Sequence, residues 1–237
     1  MKKTILSGIF SLLLIGAMAQ SKTINDANAV KRPVSNFQAI TVGSGVDLYL
    51  SQGDEAVVVS ASNKEDRDRI VTEVVNGELR IHYDNHGFIW SSGDKRLKAY
   101  VSAKSLNKLH AGGGSDVYVE GVFRTERLDL VLSGGSDGSG ELDAGTLRID
   151  VSGGSDSHFK GRAGDLVVTA SGGSDFLGKE FSADHVTLSA SGGSDVYVTV
   201  NKELDAHASG GSDVYYSGNG TVREISAIGG SSVKRRS

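Results

Sequence analysis

The sequence predicts an all-β protein: a right-handed parallel β-helix, or β-solenoid, with rungs of about 19 residues and a less regular N-terminal β cap. Three observations predict it. The tetrapeptide Gly-Gly-Ser-Asp occurs six times, ending at Asp116, Asp137, Asp156, Asp175, Asp195 and Asp213, and Gly229-Gly230-Ser231-Ser232 is a seventh, degenerate copy. The steps between these ends are 21, 19, 19, 20, 18 and 19 residues. Upstream of each copy the apolar residues alternate at fixed offsets, and no helical stretch separates the copies. An antiparallel meander is the alternative, but it has no need for one residue type at one rung position seven times over.

Along the chain, residues 1–19 read as a signal peptide. Lys2 and Lys3 precede an apolar stretch from Ile5 to Ile15, and Ala17-Met18-Ala19 offers a cleavage site before Gln20. The apolar run is short for a membrane span. Export to the periplasm, the outer surface or the medium is expected, without a lipid anchor because no cysteine is present. Residues 20–32 are polar and read as a flexible tether. Residues 33–103 read as the β-rich region that caps the solenoid, and 104–237 as the rungs, with 33–230 forming one continuous domain.

Within the cap, Phe37–Val42 and Val46–Leu50 alternate like strands around Gly43-Ser44-Gly45, a forerunner of the later corners. Ala56–Ala61 is a further strand, and Asn63–Arg69 is either one helical turn or a loop. Ile70–Val75 and Glu78–Tyr83 flank Asn76-Gly77, a hairpin signal. Phe88-Ile89-Trp90 belongs to an excursion, and Leu97–Val101 resumes strand character.

In the rungs, Ala111, Leu132, Val151, Ala170, Ala190, Ala208 and Ala227 stand five residues before each corner end. Leu109, Leu130, Ile149, Val168, Leu188, Ala206 and Ile225 stand seven before, and Leu128, Leu147, Leu166, Val186 and Leu204 stand nine before. These are inner columns. Looser polar turns are expected near Asp143–Gly145, Arg162–Gly164, Asn201–Glu203 and Gly218–Gly220. The corner glycines Gly134, Gly135, Gly153, Gly154, Gly172, Gly173, Gly192, Gly193, Gly210 and Gly211 have a structural explanation: a sharp corner needs positive φ and close approach of neighbouring rungs. Serine and aspartate beside them can bond the amides such a corner leaves free.

The 237 residues carry a net charge of −4, no cysteine and 32 glycines, about twice the usual share. The acidic balance argues against a nucleic-acid partner. Without cysteine there is no disulfide framework, thiolate nucleophile or zinc ribbon. The six histidines, at 82, 86, 110, 158, 185 and 207, share no metal-ligand spacing. Gly134-Gly135-Ser136-Asp137-Gly138 matches G-x-S-x-G in letters, but it is a repeat corner with no helical stretch after it, so there is no nucleophile elbow, and no phosphate-binding loop is present. A carbohydrate-active enzyme, lyase or hydrolase-like, is the alternative function, since an aspartate ladder supplies carboxylate pairs. A uniform ladder singles out no pair, however, and the basic residues Arg124, Arg127, Arg148, Lys160, Arg162 and Lys179 are scattered. No cofactor is expected. Calcium on the ladder is conceivable, although the period is not that of the nonapeptide calcium repeats.

Two residues after each corner aspartate stand Tyr118, Ser139, His158, Leu177, Tyr197 and Tyr215, which alternation turns outward. Tyr118, Tyr197, Tyr215 and His158, beside the acidic corner edge, form the candidate binding stripe for glycans or for envelope or host surface proteins.

The Phe37-x-x-Ile40-x-Val42 strand, the Gly43–Leu50 segment, the Asn76–Ile81 segment and the string of Ser-Gly-Gly-Ser-Asp corners resemble the head GIN domain family, over about residues 34–230. The resemblance implies a pectin-lyase-like β-helix without a recognised catalytic set, and an adhesive role at the cell envelope. Family corners commonly read Gly-Ser-Gly, where this chain has Gly-Gly-Ser. No alternating membrane-barrel segment follows the rungs, so self-translocation is not expected.

Overall fold

The computed structural model describes residues 26–85 and 95–236. The expected signal peptide, the first part of the tether, His86 and the Phe88–Trp90 excursion lie outside the described residues.

The cap contributes β1 (Val30–Arg32), β2 (Ala39–Val42), β3 (Asp47–Gln52), β4 (Ala56–Ser60), α1 (Lys64–Asp68), β5 (Ile70–Val75), β6 (Glu78–Tyr83) and β7 (Lys98–Ala103). The rungs contribute β8 (Lys108–Gly112), β9 (Val117–Ser133), β10 (Gly138–Ser152), β11 (Ser157–Ser171), β12 (Phe176–Ser191), β13 (Asp195–Ala208), β14 (Asp213–Ser217), β15 (Thr221–Ala227) and β16 (Ser232–Arg235). From β8 onward every pairing is parallel, which excludes the meander for this part of the chain. The molecule is a β-solenoid.

The alternation explains the stack. The column Leu79–Ile40–Leu109–Leu130–Ile149–Val168–Leu188–Ala206–Ile225 is in direct register from β6 to β15. Its first eight members are at most 1% exposed. Each such aliphatic side chain contributes roughly 1.5–3 kcal/mol relative to the exposed state. At the last rung the column loses its cover, and Ile225 is 43% exposed.

The cap is more solenoid-like than its sequence suggests. β2 pairs in parallel with both β6 and β8, and β3 pairs in parallel with both β7 and β9. Only β1, β4 and β5 run antiparallel to their neighbours. The Asn76-Gly77 hairpin has the expected bounds, with both residues at positive φ. The Asn63–Arg69 segment settles as α1: the Asn63 side chain accepts from the Asp66 N–H at 2.9 Å and caps it.

Two expectations are corrected. Residues 30–32, read as tether, form β1 and pair with Val57–Val59 of β4. The strands also run in unchanged register through the predicted looser turns at 143–145 and 162–164, where Asp143 faces Arg162, Ala144 faces Ala163 and, past Gly145 and Gly164, Thr146 faces Asp165. Gly161 allows that bend, because a Cβ there would sit 2.0 Å from the Leu142 carbonyl oxygen. The Asn201–Glu203 segment likewise lies inside β13, while Gly218–Gly220 does separate β14 from β15.

Candidate binding face

The corner tetrapeptide assembles two hydrogen-bond ladders running in opposite directions. Its two glycines serve different needs. Gly153 has φ 72°, and a Cβ there would lie 3.1 Å from the Gly134 nitrogen of the rung before it. Gly154 has φ 77° and open space where a Cβ would go, so only its backbone conformation demands glycine.

The serines Ser115, Ser136, Ser155, Ser174, Ser194 and Ser212 are all 0% exposed. From Ser136 onward each Oγ accepts from the serine N–H of the rung before it: Ser136 N–H donates to Ser155 Oγ at 3.0 Å, Ser155 N–H to Ser174 Oγ at 3.1 Å, and Ser194 N–H to Ser212 Oγ at 3.1 Å. The ladder begins with Val46 N–H donating to Ser115 Oγ at 3.0 Å. It ends with Ser212 N–H donating to Ser231 Oγ at 3.2 Å.

The aspartates bond the other way. Asp137 N–H donates to Asp116 Oδ1 at 3.0 Å, Asp156 N–H to Asp137 Oδ1 at 2.8 Å, Asp175 N–H to Asp156 Oδ1 at 3.1 Å, and Asp195 N–H to Asp175 Oδ1 at 2.7 Å. The series starts one rung earlier, with Asp116 N–H on Asp47 Oδ1 at 3.3 Å. Neighbouring carboxylates about 4.8 Å apart repel by roughly 1 kcal/mol in water. A hydrogen bond to a charged acceptor returns about 1.5–3 kcal/mol, so the ladder is stable on its own terms. Burial and the neighbouring Asp175 push the Asp195 carboxyl above its ordinary range. At the last full corner, bonds from the Ser232 and Tyr215 hydroxyls hold Asp213 below it. Among the described residues, no group of three or more His, Cys, Asp or Glu is arranged to hold a metal ion.

The stripe beside this edge falls into two tyrosine stacks. Tyr118 faces Tyr49, which faces Tyr100; the ring centroids are 5.1 Å and 5.0 Å apart with interplanar angles of 22° and 27°. Tyr197 faces Tyr215 with centroids 4.7 Å apart. Between the stacks, Tyr118 is in register with Ser139, Ser139 with exposed His158, and Leu177 with Tyr197. The two stacks are therefore separated by three rungs without a tyrosine.

Tyr49 and Tyr100 were not singled out by sequence. Tyr49 obeys the same rule as the others, two residues after Asp47 in the Gly43–Gly45 corner, so the signal was present. Tyr100 follows no corner, and only the pairing of β3 with β7 places it in the column.

The hydroxyls tie the stripe to the ladder. Tyr118 Oη donates to Asp116 Oδ2 at 3.2 Å, and Tyr215 Oη donates to Asp213 Oδ2 at 3.1 Å. Burial first, and the Asp116 charge second, push the Tyr118 phenol up to about 12. Lys179 Nζ lies 4.9 Å from the Tyr197 ring centroid, and the Arg236 guanidinium lies 5.4 Å from that of Tyr215. Tyr118 is 37% exposed.

The other scattered basic residues pair with carboxylates on the outer faces. Arg162 grips Asp143 through two bonds of 3.1 and 2.9 Å, and Arg124 lies 3.8 Å from the same group. Arg127 pairs with Asp129, Arg148 with Asp150, and Lys160 with Glu141. His110 and His207 occupy one column on successive rungs' equivalent positions but are separated by Val131, Asp150, Thr169 and Ser189.

Solved structures share this architecture. One described as a "putative adhesin" from Bacteroides fragilis NCTC 9343 has a TM-score of 0.79 at 20% identity, covering 89% of this chain and 98% of its own. A second "putative adhesin", from Parabacteroides merdae ATCC 43184, gives 0.70 at 13% identity, covering 89% and 96%. A "putative lipid binding protein" from Parabacteroides distasonis ATCC 8503 gives 0.68 at 18% identity, covering 90% and 98%. At these identities the likeness is one of fold. No curated protein matches the chain. A family model described as "Putative auto-transporter adhesin, head GIN domain" matches residues 36–220, and the chain, with its Gly-Ser-Gly forerunner and stacked corners, belongs to that family.

Proposed function

We propose that this protein is a non-enzymatic adhesin of the bacterial cell surface, exported by means of residues 1–19, which attaches to glycans or surface proteins through the tyrosine and aspartate face. The observation that carries the reading is the column itself. Tyrosines on adjacent rungs are pre-stacked, and two of their hydroxyls are anchored on corner carboxylates. Binding such a face freezes little side-chain freedom, which is one of the costs of forming a contact. Aromatic rings with a polar tip suit both sugars and protein surfaces. From Asp116 to Asp175 the ladder repeats one bonding pattern, which sets no pair apart as acid and base; only at its end do neighbours differ, with Asp195 raised by burial and Asp213 lowered by bonds from the Ser232 and Tyr215 hydroxyls.

The test is attachment of the purified protein to glycan and surface-protein arrays and to cells. Tyr118→Ala, and Tyr197→Ala with Tyr215→Ala, are expected to weaken attachment about tenfold or more while the circular dichroism spectrum is kept. Unchanged attachment in both variants would reject this face. Release of product from polysaccharides, abolished by a single Asp→Asn change, would reject the non-enzymatic reading.

A further inference from the structure

The inner column nine residues before the corners changes character at the N-terminal end. From β9 onward it holds Leu128, Leu147, Leu166, Val186 and Leu204, at most 3% exposed. The equivalent positions before Asp47 and Asp116 hold Gln38 and Asn107, both exposed. There the core slot is filled one residue earlier, by Phe37 at 2% and Leu106 at 1% exposure. That slip turns Gln38 and Asn107 outward on adjacent rungs, where Asn107 N–H donates to the Gln38 carbonyl at 2.9 Å.

With Asn36, Asn76 and Glu55 they line a cleft of about 450 Å³. Asn36 and Asn76 have φ of 63° and 52°, so the turns alone account for asparagine there. No such need applies to Gln38 and Asn107. Their backbone groups are already paired in the stack, and among the described residues their side-chain amides bond nothing. The Glu55 carboxylate is fixed at the wall by accepting from Asn36 N–H at 2.7 Å.

We propose that this cleft is a binding site for a neutral saccharide, separate from the tyrosine face and independent of its role. Carboxamides each donate and accept, as sugar hydroxyls do, so a lining that carries Gln38, Asn76 and Asn107, with Asn36 whose amide donates to Ser35 Oγ at 3.3 Å, matches a ring bearing several hydroxyls. No lysine or arginine is among the lining residues, and Glu55 adds negative charge, so an acidic sugar, sulfate or phosphate finds no counter-charge. Phe37 is buried beneath the cleft, so no exposed aromatic wall suits an apolar side chain. The volume lies within the roughly 300–1,000 Å³ of small-ligand sites.

The test is titration of the protein with a panel of neutral mono- and disaccharides and their acidic counterparts, followed by calorimetry and by ¹⁵N spectra of the side-chain amides. A neutral sugar is expected to bind, to shift the Gln38 and Asn107 amide signals, and to lose at least tenfold in affinity in Gln38→Ala with Asn107→Ala. A sugar held at the tyrosine face would leave the Gln38 and Asn107 amide signals in place, which separates this site from that face. The spectra decide the matter even if the alanine variant fails to fold. No binding of any neutral sugar up to about 10 mM, preference for the acidic sugars, or shifts confined to residues away from the cleft would overturn the proposal.

Discussion

At the residue scale, the corner chemistry divides cleanly between its members. Ser155 is fully buried, and its Oγ is an acceptor for Ser136 N–H. Ser155→Ala leaves that amide unpaired, and urea unfolding should show a loss of about 1–3 kcal/mol. Asp156 accepts through one oxygen from Asp175 N–H. Asparagine can do the same without the charge, so Asp156→Asn should change stability by less than about 1 kcal/mol, and a chelator should leave the melting temperature unmoved. A large drop with chelator would mean that a cation, and not the amides, offsets the repulsion. The phenols give a pH signature. Tyr83 and Tyr118 are both pushed up to about 12, each chiefly by burial. A folded-state value raised above the unfolded one means that the unfolded chain releases these protons first. Their contribution is fully present below about pH 10 and is lost as pH rises from there toward about 12. Absorbance titration should show late phenols, Tyr83 and Tyr118 among them with Tyr100 and Tyr215 also raised, and Tyr118→Phe should remove one of them and reduce the alkaline loss of stability.

At the scale of the element, the sequence was informative wherever the structural cause is local. Asn76-Gly77 defines β5 and β6 to the residue, because a two-residue turn with both φ positive admits few alternatives. The corners and inner columns were legible because stacking repeats one environment at a fixed step. What escaped depends on distant pairing. β7 sits between β3 and β4, parallel to one and antiparallel to the other, and nothing near Lys98–Ala103 encodes that choice. Tyr100 joins the stripe only through it. β1 gains its structure from β4, so a polar segment with little intrinsic preference was read as a tether. The bends at 143–145 looked like turns because glycine and polar residues cluster there, yet the neighbouring rungs hold the backbone in the ladder. The candidate face was largely legible: the rule of two residues past the aspartate finds Tyr49, Tyr118, Tyr197 and Tyr215 and the interruption at Ser139, His158 and Leu177, but not Tyr100. The carboxamide cleft was not legible, since it arises from a one-residue slip of the core at Phe37 and Leu106.

For the whole molecule, the proposed binding face follows from vertical registry. Stacked corners put carboxylates on one edge, and the same registry piles tyrosines beside them. Registry is directly measurable, because the chain has no cysteine and accepts paired spin labels without background. The column His110–Val131–Asp150–Thr169–Ser189–His207 steps one rung at a time on the outer surface. Cysteine labels at 110 paired with 169, 189 and 207 span three, four and five rungs. Pulsed electron paramagnetic resonance should give backbone separations near 14, 19 and 24 Å, rising by about 4.8 Å per rung. Distances that fail to rise in equal steps, or that alternate between short and long, would contradict the solenoid and every assignment built on it.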